Sequence, residues 1–315
     1  MTCPTLVGCL SVTGYDAEFL GFTVPLPVSP VEVRVLDYTH FSVLLDPDRR
    51  LATATACVVD GATLLALRRT GRWRLDGRVP TGEQSGSELY SGNPLDRGHL
   101  VRRLDPVWGD AETATRANHD TFTYTNAAPQ VNRFNQSKEL WNGLEDHVLA
   151  YAGAHDHRIA VQTGPVFADD DPLYRGVHIP RLFWKVVAWA GSGDVLRTTA
   201  FVLDQTPQLD AAHLRDITAQ SLARDDIPPL GPFRTYQVPV GDVAALTRLD
   251  LGPLPGADVL AVPVDRDVRE PSGSRPTDIT IQRLPRARAW SEIRTSDQIA
   301  IRPCRRSPEG AATPR

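Results

Sequence analysis

Asp96-Arg97-Gly98-His99, set within Leu95–Leu100 at the end of a long irregular stretch, puts an imidazole beside a carboxylate and a guanidinium. The glycine frees the backbone to approach another closely. Such neighbours can fix the tautomer of His99 and shift its pKa. By itself, a histidine near Arg and Asp is more often a hydrogen-bonded structural residue. The residues downstream change that balance. Thr125-Asn126-Ala127-Ala128-Pro129-Gln130 closes a β-rich stretch, Phe134-Asn135-Gln136 opens a helical one, and Trp141-Asn142-Gly143-Leu144-Glu145-Asp146 lies within it. The order strand, strand, helix offers an imidazole, a neutral carbonyl oxygen and a carboxylate, with several arginines nearby. These parts suit phosphodiester hydrolysis. A base deprotonates water, a hard cation on oxygen ligands neutralises charge at the leaving oxygen, and guanidinium groups hold the phosphate.

The elements that must position these groups are legible in outline. Strands are expected at Val31–Leu36, Thr39–Leu45 and Ala52–Val59, with a hairpin at Asp60-Gly61 leading into Thr63–Leu67. Gly71 to Gly98 reads as a long irregular connection, a length usually reserved for function. A short helix over Asp110–Asn118 precedes the β-rich Thr121–Thr125. Leu140, Leu144, Val148 and Tyr151 mark one face of a helix over Phe134–Ala152. Further strands follow at Arg158–Thr163, Leu182–Ala190, Arg197–Leu203, Thr235–Pro239 and Val259–Val264, with a helix near Gln208–Ser221. Strands outnumber helices and βα units rarely alternate, so the fold class is α+β around a mainly antiparallel sheet with flanking helices. The chain divides into an N-terminal segment, 1–48, packed on or masking the core, a main domain, 49–264, and a C-terminal extension, 265–315, with a disordered end.

Composition excludes several classes. With 315 residues, 41% apolar and 23% charged, the chain is an ordinary globular protein able to bury a core. No run reaches the roughly 18 apolar residues of a membrane span, and no secretory leader is legible. The expectation is a cytoplasmic protein without membrane contact, with non-classical export as the alternative. Cys3, Cys9, Cys57 and Cys304 lack CxxC spacing, which argues against a disulfide scaffold or structural zinc site. Only Lys138 and Lys185 are lysines, so an arginine in itself says little here. Net charge is −4, yet Arg68–Arg133 holds ten arginines against eight acids. Asn93, Asn118, Asn126, Asn132, Asn135 and Asn142 are all the asparagines of the chain, gathered in this region.

At these residues the sequence resembles the DNA/RNA non-specific endonucleases, the ββα-metal nucleases with an Asp-Arg-Gly-His motif. The resemblance runs in order through Asp96–His99, Thr125–Gln130, Phe134–Gln136, Trp141–Asp146, Thr163–Phe167 and Ile179–Val187, covering roughly Leu51 to Leu260. Asp60-Gly61, Arg69 and Trp73 also fit. The resemblance implies a ββα-metal core with His99 as general base. It implies Asn135 as the single protein ligand of Mg²⁺, for which Mn²⁺ can substitute, and Glu145 holding metal-bound water. Asn126 would orient His99 or its strand, and Arg97 and Arg69 would contact the scissile phosphate. DNA and RNA would be cut to 5′-phosphate and 3′-hydroxyl ends. Asn135 to Glu145 spans ten residues here against eight in the family pattern, and Asn132 is the alternative ligand.

Blander features are expected elsewhere. His155-Asp156-His157 and Asp169-Asp170-Asp171 read as polar turns, and Trp184 and Trp189 as core. Gln84–Gly92 is the candidate groove rim. Two other functions compete: a catalytically silent nucleic-acid-binding module on the same fold, and a phosphodiesterase for small nucleotides. An unguarded nuclease would attack its own host's genome, so control by a partner inhibitor, by non-classical export or by masking with a terminal segment is expected; an activating partner and a homodimer are further partner expectations.

Overall fold

The computed structural model describes residues 14–131, 157–206, 209, 234–260 and 290–293. Eight antiparallel strands form the central sheet: β1 (Arg34–Tyr38), β2 (Phe41–Asp46), β3 (Leu51–Asp60), β6 (Arg158–Val166), β9 (Leu182–Gly191), β10 (Val195–Asp204), β11 (Arg234–Val238) and β12 (Ser291–Ile293), adjacent in that order. A separate antiparallel ribbon joins β4 (Leu95–His99) to β5 (Ala127–Val131), and a small one joins β7 (Leu173–Tyr174) to β8 (Val177–His178). Among the described residues the helices are α1 (Ser87–Tyr90), α2 (Ala111–Asp120) and α3 (Val240–Thr247). The α+β class and the mainly antiparallel sheet are as expected. The segment before residue 49 supplies β1 and β2 to this same sheet.

Strands buried on both faces read as nearly continuous apolar runs, and the side-chain period of two sorts them. Along β9, Phe183, Val187 and Trp189 enter one core, whereas Trp184, Val186 and Ala188 enter the other. The first core also takes Leu95, Leu100, Tyr124 and Ala127 from the β4–β5 region. Leu20 and Val24 of the N-terminal segment and Val240 and Val243 of α3 belong to the second. Gln162 carries the link onward by donating to the Pro25 carbonyl at 2.8 Å. Leu20 and Val24 therefore lie across the sheet from the face that supports the ribbon, whereas Leu36, Tyr38 and Phe41 of the same segment pack on the ribbon side. Trp184 and Trp189 are core residues, as expected.

Two local expectations give way to tertiary contacts. The strand expected to begin at Thr39 begins at Phe41, because Tyr38 pairs with Phe41 across a two-residue turn. His40 takes the left-handed φ of 68° there. Its ring compensates that backbone by stacking on Trp108 at 3.5 Å and bonding the Pro106 carbonyl through Nδ1. No hairpin forms at Asp60-Gly61. The Asp60 carboxylate accepts from Ala62 N–H and caps a 3-10 turn over Gly61–Thr63, while β3 pairs on one side with the preceding β2 and on the other with the distant β6. Asp110 caps α2 by accepting from the N–H groups of Glu112 and Thr113, which starts that helix where the sequence placed it. The helix over Phe134–Ala152, nearly all of that near Gln208–Ser221 and most of the strand over Val259–Val264 lie outside the described residues.

Candidate active site

The ribbon register sets His99 opposite Ala127, Gly98 opposite Ala128, Arg97 opposite Pro129 and Asp96 opposite Gln130. Alternation then projects Arg97 and His99 from one face and Asp96 and Gln130 from the other. Gly98 serves the second face. A Cβ there would lie 2.1 Å from the Gln130 side chain, so the close approach that the glycine permits is to a side chain, not to another backbone. Gln130 is buried, and among the described residues neither of its side-chain polar atoms has a hydrogen-bond partner. It closes a motif noted in the sequence, where it drew no role.

Asn126 fixes the chain just beyond His99. Its Oδ1 accepts from Val101 N–H at 2.8 Å, and its Nδ2 donates to the carbonyls of Val101 at 3.0 Å and Thr121 at 3.1 Å. Leu100 N–H donates to the Asn126 carbonyl at 3.0 Å. The side chain is wholly buried and holds the backbone of Leu100 and Val101, which follow His99 in the chain. Asn93 and Asn118 are clamps of the same kind. Asn93 takes Leu95 N–H and gives to the Leu89 carbonyl, while Asn118 accepts from Arg103. The three described asparagines therefore tie loops around the ribbon.

The face bearing Arg97 and His99 lies against a row of aromatic rings. Tyr90 and Tyr124 stack at 6.0 Å, Tyr124 lies 5.7 Å from Trp73, and Trp73 meets Phe122 edge-on at 5.5 Å. The His99 ring sits against the far part of this row, 4.6 Å from Trp73 and 5.1 Å from Phe122. Backbone bonds from Arg74 N to Phe122 O and from Tyr124 N to Arg74 O hold the row in register. The Arg97 guanidinium stands over Tyr90 and Tyr124, at 5.7 and 6.0 Å. Arg69 stands over Phe122 at 5.3 Å. The two arginines expected together at one phosphate thus occupy opposite ends of the row, with His99 between them.

His99 is half-buried, but its Nε2 is covered and has no hydrogen-bond partner among the described residues. Desolvation lowers its pKa to about 3, with the positive charges of Arg69 and Arg103 acting in the same direction. The ring is therefore a neutral base with a lone pair to offer. Arg97 Nε is likewise buried without a partner. A cleft of about 310 Å³, lined by Tyr38, Arg74, Asp76, Arg78 and Asp120 among others, differs in character. There Asp76 is held by Arg78 and the Tyr38 hydroxyl, and Asp120 by Arg74 and Thr39. Charge is matched in that cleft, whereas among the described residues no carboxylate pairs with Arg69, Arg97 or Arg103 beside His99.

Other expectations resolve case by case. Gln84 is no groove rim: it is buried, donates to the carbonyls of Asp76 and Val79, and accepts from Asp76 N–H. That amide closes the loop expected to be irregular, and Ser87, Glu88, Ser91 and Gly92 remain exposed along it. Asp171 accepts from Ala168 N–H as a polar turn should. Asn132, Asn135 and Glu145 lie outside the described residues, as do His155 and Asp156. Among the described residues no three His, Cys, Asp or Glu side chains converge on a possible metal position.

Comparison with known proteins bears on this site. A family model described as DNA/RNA non-specific endonuclease matches residues 22–255. An uncharacterized protein, y4fB, of Sinorhizobium fredii is 39% identical over 73% of this chain and 37% of its own length. Mitochondrial endonuclease G of Homo sapiens is 28% identical over 47% of this chain and 51% of its own, and the Bos taurus protein is 29% identical over 44% and 48%. The chain thus spans about half or less of the length of these curated relatives. A solved structure, the EndoG/EndoGI complex described for the mechanism of EndoG inhibition, shares the fold with a TM-score of 0.51 at 20% identity, over 70% of this chain and 86% of that one.

Proposed function

Because the chain belongs to the DNA/RNA non-specific endonuclease family, we propose that it hydrolyses phosphodiester bonds of DNA and RNA with His99 as general base. The observation that carries this reading is the neutral imidazole of His99, held by the β4–β5 ribbon on the same face as Arg97 amid the positive charges of Arg69 and Arg103. A phosphate entering here brings negative charge toward the ring, which raises its basicity as the substrate binds. Water then attacks phosphorus in line with the leaving 3′-oxygen and gives its proton to the imidazole. The new P–O bond leaves a 5′-phosphate. The departing oxygen takes a proton from water and becomes a 3′-hydroxyl. Arg97, ordered over Tyr90 and Tyr124, is placed to bind the phosphoryl oxygens and stabilise their growing charge. Asn126 keeps the ring in place through the Leu100–Val101 backbone. Phosphate contacts carry no base information, which accounts for a sugar- and sequence-indifferent activity.

The donor chemistry fits a magnesium ion, with manganese able to substitute. Neutral protein oxygens, water and the substrate's own charge would suit such a hard cation beside the guanidinium groups around His99. Asn135 would hold it directly and Glu145 would hold its waters. When bound, it would neutralise charge at the leaving oxygen. An inhibitory partner protein is part of the same proposal, because a nuclease of this kind requires restraint in its host.

Cleavage of a plasmid and of a structured RNA, with Mg²⁺ and with EDTA, tests the reading against His99→Ala. The expected loss is about 10²- to 10⁴-fold for the variant, the usual contribution of a general base. Equal rates in both proteins would remove His99 from its role. Tight binding without cleavage by the wild type would leave the silent binding module in its place.

A further inference from the structure

Residues 84–91, with α1 among them, bring Tyr90 beneath the Arg97 guanidinium. A four-residue helix is too short to hold itself, and its carbonyls need outside donors. Arginines from two distant turns supply them. Arg175 donates through Nη1 to the carbonyls of Glu88 at 2.6 Å and Ser91 at 2.7 Å. Arg50 donates through Nη2 to the Gln84 carbonyl at 3.0 Å and to Glu88 Oε1 at 3.1 Å. The two arginines share an unusual backbone. Arg50, in the turn between β2 and β3, has a φ of 60°, and Arg175, in the two-residue turn between β7 and β8, has a φ of 50°. Such positions favour Gly, Asn or Asp, because a Cβ is crowded at positive φ. Five non-glycine residues among those described have positive φ, and two of the five reach this one segment. The chain is rich in arginine, so identity alone argues nothing; strain retained at two turns that converge on eight residues points to what the side chains hold.

We propose that Arg50 and Arg175 are positioning residues that clamp residues 84–91, so that Tyr90 lies beneath Arg97 and its guanidinium is presented to phosphate. This deepens the nuclease reading and rests on it for the role of Arg97. Among the described residues Arg97 Nε has no hydrogen-bond partner, and the guanidinium is ordered by the faces of Tyr90 and Tyr124. Tyr124 is fixed by its own backbone, whose N–H donates to the Arg74 carbonyl. Tyr90 stacks on Tyr124 at 6.0 Å, but its backbone belongs to α1 and moves with it. Tyr174, next to Arg175, enters the same core as Leu89 and Tyr90, so the β7–β8 hairpin and the segment it clamps share one support. Loosening the clamp shifts Tyr90 and takes from Arg97 the face that aims it. A displacement of about 1 Å at a reacting group can cost about 10²-fold in rate.

Substitutions that suit the turns separate the clamp from the fold. Arg50→Gly and Arg175→Asn remove the head groups and give each turn a residue at home at positive φ, so the melting temperature should hold or rise. Backbone amides of residues 86–92 should exchange with deuterium faster in both variants. On a plasmid, kcat/KM should fall about tenfold in each. In an Arg97→Gln background the same substitutions should cost nothing further, because the group they position is gone. Arg175→Lys, which can still donate to both carbonyls, should recover part of the loss. Equal losses with and without Arg97, or wild-type exchange rates in both variants, would overturn the clamp; cleavage by the wild type alongside that result would leave the nuclease reading standing. A wild type that cleaves nothing removes the nuclease reading instead. The same cycle, read in the anisotropy of a fluorescent single-stranded oligonucleotide, then decides the clamp: weakening that depends on Arg97 supports it, and additive or absent weakening overturns it.

Discussion

The charge state of His99 admits a quantitative test. Desolvation lowers its pKa from 6.5 to about 3, with Arg69 and Arg103 adding to the effect. Arg69 Cζ is 5.3 Å and the His99 ring 5.1 Å from the same Phe122 centroid, so the charge stands no more than about 10 Å from the imidazole. At that distance Coulomb's law gives about 0.4 kcal/mol in a water-like dielectric and about 1.7 kcal/mol at an effective dielectric of about 20. Arg69→Gln should therefore raise the His99 pKa by about 0.3 to 1.2 units and leave the larger, desolvation part of the shift in place. Proton NMR of the imidazoles reads this directly. The chain has eight histidines, and the His99 signal is the one that His99→Gln removes. The sign also governs stability. The unfolded chain takes up this proton near pH 6.5 and the folded one only near pH 3, so stability falls as pH drops through that window, by up to about 1.4 kcal/mol per pH unit. His99→Gln should lose less stability over the same range in denaturant unfolding. A His99 ring that titrates at or above 6.5 in the free protein would refute the desolvated-base reasoning.

Three further perturbations follow from the same geometry. Asn126→Ala deletes three buried hydrogen bonds and strands the N–H and carbonyl of Val101, so unfolding should cost about 2–4 kcal/mol less, with cleavage impaired through a displaced His99. Gly98→Ala drives a methyl group into Gln130 and should destabilise by about 1–3 kcal/mol; pairing it with Gln130→Ala should recover much of that loss, and additive effects in the double-mutant cycle would argue against the clash. Gln84→Ala removes the amide that closes the loop around Asp76 and Val79, and limited proteolysis between Gly77 and Ser91 should accelerate while the sheet stays intact.

The strands of the sheet other than β12 were legible because each carries its own local cause. Runs such as Phe183-Trp184-Lys185-Val186-Val187 are apolar and β-branched enough to be buried on both faces, and Asp110 marks a helix start by its own side chain. Asp96–His99 and Thr125–Gln130 were legible as two ordered motifs, but their pairing as β4 and β5, which puts Arg97 and His99 on one side, came only from the structure. The β1–β2 turn was not legible, because His40 keeps its left-handed backbone only through Trp108 and Pro106, which lie more than sixty residues away. The chain's path after Asp60 was missed for a related reason. An Asp-Gly pair can close a hairpin or cap a 3-10 turn, and the long-range partners of β3 chose the second. The asparagine cluster was visible as composition, but three of its members proved to be loop clamps, a fact that only their backbone partners reveal.

Sequence by itself determined the chemical kit, meaning the imidazole, the guanidiniums and the order of motifs, because residue identity and spacing are local properties. Tertiary structure alone decided that Arg97 and Arg69 stand at opposite ends of an aromatic row with His99 between them, and that Arg103 joins Arg69. Tyr90, Trp73, Phe122 and Tyr124 come from separate stretches of chain, and their stacking exists only once loop closure has brought those stretches together. The same closure removes water from the His99 ring and lowers its pKa. Burial depends on everything that surrounds a group, and for that reason no reading along the chain supplies it.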